Sequence, residues 1–349
     1  MAAFYFLVIG IPLFLQMRFF LLFTFFSVNY FKGPKEVKRI LIAGNAQGTT
    51  YQITYFNTDT LVSKKQIDSI LNKLDSSLSL YKTYSLVTQF NNSSDGMVVD
   101  VHLEKVVKKA MEVNHTTKGI FDITVFPFTE AWGFGTKKIK SVPSANSIHL
   151  LHACVGSNKL FWKGNRLGKS NHCVKLDPNG IAQGYSVDVL AGFLEDRGIN
   201  NYLVELGGEI RIRGRKQPEN SIMKIAIEVP GKEEWNISSS KNIIQVEAGA
   251  ITTSGSYRKF YESKGKKFSH IIDARSGYPS QNELISVTVF AADAITADAY
   301  DNALMVMGLK RAIAFVEKRK DIAAHFIYRK EDGSIADTSS SRFRHFLKQ

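Results

Sequence analysis

The order of helical and strand-like segments limits the fold of this chain more than any other feature of its sequence. Runs with the spacing of amphipathic helices alternate irregularly with short runs rich in β-branched residues, unlike the regular strand–helix–strand order of a parallel α/β fold. We predict helices at 63–78, 98–116, 184–197 and 295–308. We predict strands at 47–55, 202–206, 209–213, 223–229, 243–246, 268–272 and 285–290, with strand and loop at 120–135. This pattern favours an α+β fold.

The composition permits a large folded unit and gives little support to a nucleic-acid role. With 349 residues and 44% hydrophobic content, the chain can bury one large core or two adjoining lobes. Its net charge of +13 is spread over short lysine pairs and is not gathered in one arginine-rich helix. Attraction to an anionic membrane surface or an anionic small molecule explains this charge as well. We therefore expect no nucleic-acid partner.

The first 31 residues form an apolar leader. This run is long enough to cross a bilayer, although Pro12 and the charged Arg18 interrupt it. If translation starts at Met17, Arg18 and the apolar residues after it have the form of a short signal peptide. Under either interpretation, 1–31 is an export signal or a membrane anchor, and the folded domain is 32–349.

The two cysteines leave their redox state open. Cys154 and Cys173 lie on segments that can pair as neighbouring strands. A disulfide is permitted in an exported protein, and two free buried thiols fit the sequence equally well.

The last predicted helix carries the strongest chemical signal. Thr296 is placed as its N-cap, and Gly308 ends it. Because residues three and four apart share a helix face, Asp298, Asp301 and Asn302 project oxygens in one direction. Such oxygens suit a hard cation such as Mg²⁺, whereas acids in a first turn can also merely complement the helix dipole. The opposite face is predicted to pack inward through small or apolar residues: Ala299, Ala303, Val306 and Met307.

Two glycine-containing segments have the composition of anion sites. At 176–188 a strand end, a Gly turn and a helix start follow one another, and free N–H groups at a helix start attract phosphate. At 250–258 small hydroxyl residues surround Gly255 and precede Arg258, which suits an oxyanion. A plain strand-to-helix connection and a polar hairpin loop also explain these segments.

His270 and Asp273 lie near the ends of the predicted strand at 268–272. A histidine near the mouth of a site can exchange a proton close to neutral pH. A single strand histidine is also common as a structural residue, so this segment alone does not decide between the two roles.

Eight short motifs follow one another along the chain. They are Gln-Gly-Thr at 47–49, Leu-Ser-Leu-Tyr-Lys at 78–82 with Phe-Asn at 90–91, Gly-Ile-Phe-Asp-Ile-Thr-Val at 119–125 with Trp-Gly-Phe-Gly at 132–135, Gly-Ile-Ala-Gln-Gly-Tyr-Ser-Val-Asp at 180–188, Val-Glu-Leu-Gly-Gly-Glu-Ile at 204–210, Thr-Ser-Gly-Ser-Tyr-Arg at 253–258, Ser-His-Ile-Ile-Asp at 269–273 and Thr-Ala-Asp-Ala at 296–299. Each motif is weak alone, but in this order they resemble the ApbE family, the FAD:protein FMN transferases. The resemblance covers about 47–308.

The resemblance implies a single two-lobed unit with mixed, mainly antiparallel sheets and flanking helices. It also implies that FAD is the substrate and that Mg²⁺ bridges its pyrophosphate. The implied metal ligands are the backbone carbonyl of Gly180 and the side chains of Asp298, Asp301 and Asn302. The implied FAD contacts are Gln47, Tyr81, Ile120, Phe121, Asp122, Asp177, Gln183, Ile271 and Ile272. His270 is implied to lie close to the reacting phosphates.

The chain departs from the family pattern at three positions. Asn302 stands where the family usually has a Thr metal ligand, and we expect its amide oxygen to give weaker but not lost Mg²⁺ binding. Gln183 replaces a frequent Lys and removes one positive charge from the phosphate region. Ala274 replaces a common Pro and is expected to alter only the loop.

On this resemblance we expect an enzyme that uses Mg²⁺ to transfer FMN from FAD to a Thr or Ser hydroxyl of a target protein, releasing AMP. His270 is the first choice to activate the hydroxyl or steady the transition state, and Asp273 is the second. Two alternatives stay open. One is a Mg²⁺-dependent FAD pyrophosphatase that gives FMN and AMP, and the other is a non-catalytic exported FAD-binding protein.

The resemblance and the leader together suggest a location and a partner. We expect the folded domain on the periplasmic side of the inner membrane, anchored there by the leader. The expected acceptor is an exported or membrane flavoprotein with a Thr/Ser motif, for example a subunit of a Na⁺- or H⁺-pumping redox complex.

Overall fold

Antiparallel strands dominate the computed structural model, which describes residues 36–137, 139, 141–227, 243–256, 260–263 and 266–347. The elements described below belong to the unit Val37–Gln349. The leader and Arg258 lie outside the described residues, so the predictions made for them stay predictions. In the part of the chain that is described, no helix has the length and apolar character needed to cross a membrane.

The strands are β1 (Lys38–Ala46), β2 (Thr49–Asn57), β3 (Gly96–Val98), β4 (Leu160–Lys163), β5 (Arg166–Lys169), β6 (Tyr202–Leu206), β7 (Glu209–Arg213), β8 (Met223–Ala226), β9 (Ile243–Val246), β10 (Ala248–Gly255), β11 (Phe260–Ser263), β12 (Lys266–Ser269), β13 (Ile272–Asp273), β14 (Tyr278–Pro279), β15 (Leu284–Ala291), β16 (Ile322–Arg329) and β17 (Ile335–Ser339). Most strands pair with the next strand in the chain, and four pairings (β2–β6, β7–β10, β10–β15 and β3–β5) join strands that are not consecutive.

The main sheet has the order β1-β2-β6-β7-β10-β15-β16-β17, and each neighbouring pair in it is antiparallel. Core clusters cover both faces of this sheet, so neighbouring residues of one strand can enter different clusters. On β2, Tyr51, Ile53 and Tyr55 enter one core cluster, whereas Phe56 enters another on the opposite face. Smaller sheets are β3-β5-β4, β8-β9, β11-β12 and β13-β14.

Five of the eight helices named below begin at side-chain caps that the sequence supplies. The Ser63 side chain accepts a hydrogen bond from the Gln66 backbone, and the Gln66 side chain accepts one from the Ser63 backbone, which is a capping box. Asp100 caps the second long helix in a similar way. The helices are α1 (Lys64–Leu78), α2 (Leu86–Asn92), α3 (Val101–Thr117), α4 (Phe126–Ala131), α5 (Ala145–Leu151), α6 (Ala182–Glu195), α7 (Ala294–Met307) and α8 (Leu309–Glu317).

The largest core lies between one face of the main sheet and the helices. Helix α7 packs on strands β10 and β15 and also contacts α3 and α6. A smaller cluster around Ile244 and Phe343 covers the opposite face of the sheet, and a third surrounds Phe128, Trp132 and Ile272. This arrangement confirms the predicted α+β fold with mainly antiparallel sheets and flanking helices.

Two predicted strand regions were wrong. Within 120–135 the chain forms helix α4, whose second residue, Pro127, is compatible with a first helical turn. Its Phe128 packs with Trp132, four residues on, in the third core cluster. The predicted strand at 268–272 is divided, because the Ser269 hydroxyl accepts a hydrogen bond from the backbone of Ile271.

The segment at 250–258 is also not the polar loop that the sequence permits. Its residues up to Gly255 belong to β10, a central strand hydrogen-bonded to β7 and β15. Sequence inspection assigned no strand there because hydroxyl residues dominate the run. Thr252 and Ser254 are buried since both sheet faces carry a core.

Cys154 and Cys173 form a disulfide, with Cα atoms 5.1 Å apart. The prediction that they lie on neighbouring strands was wrong. Cys154 ends a 3₁₀ turn, and Cys173 lies in the turn after β5.

Candidate active site

Helix α7 is buried around its whole circumference, together with its acids. The side chains predicted to pack inward are covered, but Asp298 and Asp301 are only 4% and 1% exposed. The acids are covered as well as the apolar side chains because α3, α6 and the sheet enclose the helix. Two buried carboxylates one turn apart are costly unless something compensates their charge.

The start of α7 is held by acids from two elements. Asp293 is the N-cap and accepts a hydrogen bond from the Thr296 backbone at 3.0 Å, so the predicted N-cap role of Thr296 was wrong. Asp188 of α6 accepts hydrogen bonds from the backbones of Ala294 and Ile295 at 2.9 and 2.8 Å. Asp188 therefore positions α7, which explains its place at the end of the glycine-containing motif at 180–188.

The four residues predicted to bind a metal meet at one point. The Asn302 amide nitrogen Nδ2 lies 2.9 Å from Asp301 Oδ1, 3.4 Å from the Gly180 carbonyl oxygen and 3.5 Å from Asp298 Oδ1. It also donates to the Asp298 carbonyl at 3.0 Å. The other end of the amide, Oδ1, accepts a hydrogen bond from Ser254 Oγ at 3.2 Å. Oxygens from α7 and from the turn before α6 thus converge on one small volume.

A glycine lets the two helices approach closely at this point. Asp298 Oδ2 accepts a hydrogen bond from the Gly184 backbone at 2.8 Å, in the first turn of α6. A Cβ atom on Gly184 would lie 2.3 Å from the Ala294 carbonyl oxygen and 2.7 Å from Asp298 Cβ. Only glycine fits there, and the N-terminal turn of α6 faces a carboxylate, as its dipole favours.

Burial raises the pKa of both acids. The pKa of Asp298 rises to about 7, first because the group is desolvated and then because Asp188 carries a like charge. The pKa of Asp301 lies well above its usual value, through burial and then through the charges of Asp298 and Glu209, while the Thr252 hydroxyl opposes the shift. An arrangement that raises two pKa values in this way is typical of a functional site.

A hard divalent cation fits this donor set. Carboxylate, carbonyl and amide oxygens are the ligands that Mg²⁺ prefers, and a cation would offset the charge of the buried acid pair. Within the described ranges no three or more His, Cys, Asp and Glu side chains gather as a metal cluster. The fit therefore depends on the Gly180 carbonyl and the Asn302 amide, with further oxygens left to a phosphate ligand.

The predicted FAD contacts at the start of α6 lie close together. Gln47 has a left-handed backbone (φ 52°) and donates to Ser186 Oγ at 2.8 Å. Its Oε1 is buried and has no hydrogen-bond partner among the described residues, so it can accept a bond from a ligand. A Cβ atom on Gly207, in the β6–β7 turn, would lie 2.9 Å from Gln183 Nε2.

Two of the residues predicted to contact FAD, Asp122 and Asp177, use their carboxylates to bond with neighbouring protein groups. The Asp122 carboxylate accepts bonds from the backbone and hydroxyl groups of Thr124 and Ser157 and from Asn114 Nδ2, at 2.6 to 3.0 Å. Asp177 accepts bonds from Thr129 Oγ1 and the Asn179 backbone. These carboxylates shape the loops beside the site.

Those loops present rings and apolar side chains. Ile120 and Phe121 are buried, and a Cβ atom on Gly180 would meet the Phe121 ring at 3.5 Å, so this ring borders the oxygen cluster. Tyr81 is 63% exposed, which leaves its ring free to stack on a planar ligand. Ile271 and Ile272 are buried where the predicted strand is divided.

The two candidate bases differ in their surroundings. His270 is half-buried between β12 and β13, with its ring edge-on to Phe134 at 6.3 Å between centroids. Asp273 forms a bidentate ion pair with Arg275, with nitrogen–oxygen distances of 2.9 and 2.7 Å. Because this ion pair occupies the Asp273 carboxylate, His270 stays the better candidate.

The sequence analysis did not connect three residues with the acid pair. Thr252 and Ser254 approach α7 from β10, and Glu209 contributes its charge from β7. Thr252 and Ser254 are two apart, so a strand places them on the same face. This period was the available signal, but the segment was interpreted only as a candidate oxyanion site or a polar hairpin loop.

Comparisons with known proteins agree with this geometry. The ApbE family model matches residues 47–326. An FAD:protein FMN transferase of Vibrio cholerae is 35% identical over 322 residues, which cover 90% of this chain and 95% of that protein. The solved flavin transferase ApbE from Vibrio cholerae is similar with a TM-score of 0.79 and 34% identity, over 89% of this chain and 100% of that one. The apo form of the Pseudomonas stutzeri flavinyl transferase ApbE gives a TM-score of 0.81 and 33% identity, over 89% and 98%. The chain therefore belongs to the ApbE family.

Proposed function

We propose that this chain is an FAD:protein FMN transferase. Its family membership and the activity for which its relatives are named support this assignment. The observation that carries it is the buried oxygen cluster of Gly180, Asp298, Asp301 and Asn302, which suits a metal-assisted reaction at a phosphate.

The proposed reaction replaces the phosphoanhydride bond of the FAD pyrophosphate with a phosphoester bond to the acceptor protein. A Thr or Ser hydroxyl of the acceptor protein attacks the phosphorus on the FMN side of the FAD pyrophosphate. A new oxygen–phosphorus bond forms, the bond to the AMP oxygen breaks, and the hydroxyl proton passes to a base. Such a transfer depends mostly on positioning and charge neutralisation. His270 is the proposed base.

The residues proposed to hold Mg²⁺ are Asp298, Asp301, Asn302 and Gly180. When bound, the cation would supply positive charge next to the pyrophosphate oxygens. Gln47 Oε1 and the exposed Tyr81 ring support FAD binding, since one offers a buried acceptor and the other a stacking surface.

The test uses the full-length chain in detergent with FAD, Mg²⁺ and a protein that carries a Thr/Ser acceptor motif. Flavin fluorescence that survives SDS on the acceptor, with AMP in equal amount and both abolished by EDTA, is the expected result. Asp301→Ala should reduce both products by about 100-fold or more, whereas exposed Glu331→Gln should leave them unchanged. AMP without a labelled acceptor would instead indicate a pyrophosphatase, and bound FAD without either product a carrier.

His270 needs its own test. His270→Ala should bind FAD normally but transfer FMN more slowly by about 100-fold. An unchanged transfer rate with normal FAD binding would exclude the proposed role of His270.

We also propose that the enzyme acts at the periplasmic side of the inner membrane on an exported or membrane flavoprotein. The apolar leader supports this location, and the Cys154–Cys173 disulfide suits an oxidising compartment. Protease added to intact spheroplasts should digest the folded domain. Protection until the cells are lysed would contradict the proposal.

A further inference from the structure

Asn302 has an unusual position for a residue in a metal site. Its NH₂ group, not its oxygen, points at the oxygens of Gly180, Asp298 and Asp301. The amide nitrogen thus occupies the point where the cluster concentrates negative charge. An NH₂ group can donate two hydrogen bonds there, whereas a hydroxyl can donate one.

Ser254 fixes this orientation from the opposite side. Its hydroxyl donates to Asn302 Oδ1 at 3.2 Å, so each end of the amide has a matching partner. Rotating the amide by half a turn would place its oxygen against the oxygens of Gly180 and Asp301 and would leave those acceptors without donors. Such a rotation is unfavourable by itself because buried acceptors need partners.

A bound cation would reverse this preference. Oxygens then gain by facing the charge, and an NH₂ group in the same place is repelled. The amide therefore has two useful orientations, and the presence of the cation decides between them.

We propose that Asn302, oriented by Ser254, substitutes for the cation in the metal-free protein and turns its oxygen inward when the cation binds. This inference rests on the metal site of the proposed function. Two consequences follow: the metal-free site is held together without a cation, and cation affinity is lowered because binding must first break the amide's hydrogen bonds.

The test measures Mn²⁺ binding and metal-free stability on the full-length protein in detergent. Mn²⁺ affinity is measured by electron paramagnetic resonance and stability by thermal unfolding in EDTA. Asn302→Thr should bind Mn²⁺ about tenfold more tightly, since about one hydrogen bond no longer has to be broken. The same variant should unfold at a lower temperature without metal. A residue with a purely structural role would weaken both properties together.

Ser254→Ala provides an independent variant. Without the Ser254 hydroxyl the amide rotates more easily, so Mn²⁺ should bind a few times more tightly while the wild-type ligands all remain. Thr288→Val is the matched control, since it removes a buried hydroxyl from β15 that bonds to Thr253 and not to the cluster. It should lower stability without a change in Mn²⁺ affinity.

The outcomes separate this inference from the proposed function. Tighter Mn²⁺ binding by both Asn302→Thr and Ser254→Ala supports the inference that the Asn302 amide takes the place of the cation in the metal-free protein. Mn²⁺ binding with wild-type affinity in both variants would overturn this inference alone. Failure of every form, including the wild type, to bind Mn²⁺ would overturn the metal site and the inference together.

Discussion

Asp301 combines almost complete burial with a like-charged neighbour, and this has a measurable cost. Its folded-state pKa lies well above the ordinary value near 4, so the metal-free protein loses stability as the pH rises from 4 through that raised pKa. Asp301→Asn removes the charge. We predict that the metal-free variant is more stable than wild type by about 1–3 kcal/mol at pH 8, with a smaller difference at pH 5.

Thermal unfolding in EDTA between pH 5 and 8.5 measures this difference. Exposed Glu331→Gln serves as the control and should show no such trend. A stability gain for Asp301→Asn that stays constant across the pH range would contradict the assigned pKa direction.

His325 has the opposite pH dependence. It is buried on β16, where Nδ1 bonds to Ser339 Oγ of β17 at 2.8 Å and Nε2 has no partner among the described residues. Burial lowers its pKa, so the unfolded chain takes up a proton as the pH falls through about 6.5 while the folded protein resists it. The protein should therefore lose up to about 1.4 kcal/mol of stability per pH unit below that point through this residue.

His325→Gln keeps a polar side chain but does not titrate. Its stability, measured by urea unfolding from pH 7.5 to 5, should fall less steeply than that of wild type. The same substitution at exposed His345 should leave the slope unchanged. Equal slopes for wild type and His325→Gln would rule out this contribution.

Among the elements, helix α6 offers a matched pair of glycines. Gly184→Ala would place a methyl group 2.3 Å from the Ala294 carbonyl oxygen, so the helices must move apart, and we predict a loss of about 2–4 kcal/mol together with weaker Mn²⁺ binding. A Cβ atom on Gly192 would meet nothing within 4 Å. Gly192→Ala should stabilise the protein by about 0.5–1 kcal/mol through helix propensity alone.

Urea unfolding of both variants measures this contrast. Loss of stability in both variants, or in neither, would show that the close approach of α6 and α7 is not what requires Gly184.

A helix or strand could be predicted when the residues that determine it lie close together in the sequence. Helix α1 begins at a capping box and helix α3 at an Asp cap, and both were predicted within a few residues. Strand β10 was missed, because its hydroxyl residues become strand residues only through pairing with β7 and β15. The burial of Asp298 likewise arises from distant elements, so the sequence could suggest the acids but not their raised pKa values.

At the scale of the whole molecule, the disulfide closes a loop that leads into the site. Cys154 and Cys173 are 19 residues apart, and the chain after Cys173 continues to Asp177 and Gly180. A disulfide that closes a loop of this length lowers the entropy of the unfolded chain. The double variant Cys154→Ser with Cys173→Ser should therefore lose about 3 kcal/mol of unfolding free energy. Thermal unfolding of this double variant against wild type, with and without dithiothreitol, measures the effect. Equal sensitivity of both proteins to the reductant would contradict it.

The order of strands in the main sheet also could not be predicted from the sequence. Hairpin neighbours such as β6 and β7 followed from the Gly207-Gly208 turn, but nothing local indicates that β2 pairs with β6 or β7 with β10. The resemblance to a family supplied the overall fold, since its motifs are spread along the chain and meet only after folding.

Helices α6 and α7 exchange hydrogen bonds at their first turns. Asp188 accepts from the backbones of Ala294 and Ile295, and Asp298 accepts from the backbone of Gly184. Neither helix can fray at this end without breaking bonds of the other, so their first turns open together. The backbone amides of Gly184, Ala294 and Ile295 should therefore exchange with deuterium at one common, slow rate set by unfolding of the whole protein. A site built in this way is lost with the fold and not before it.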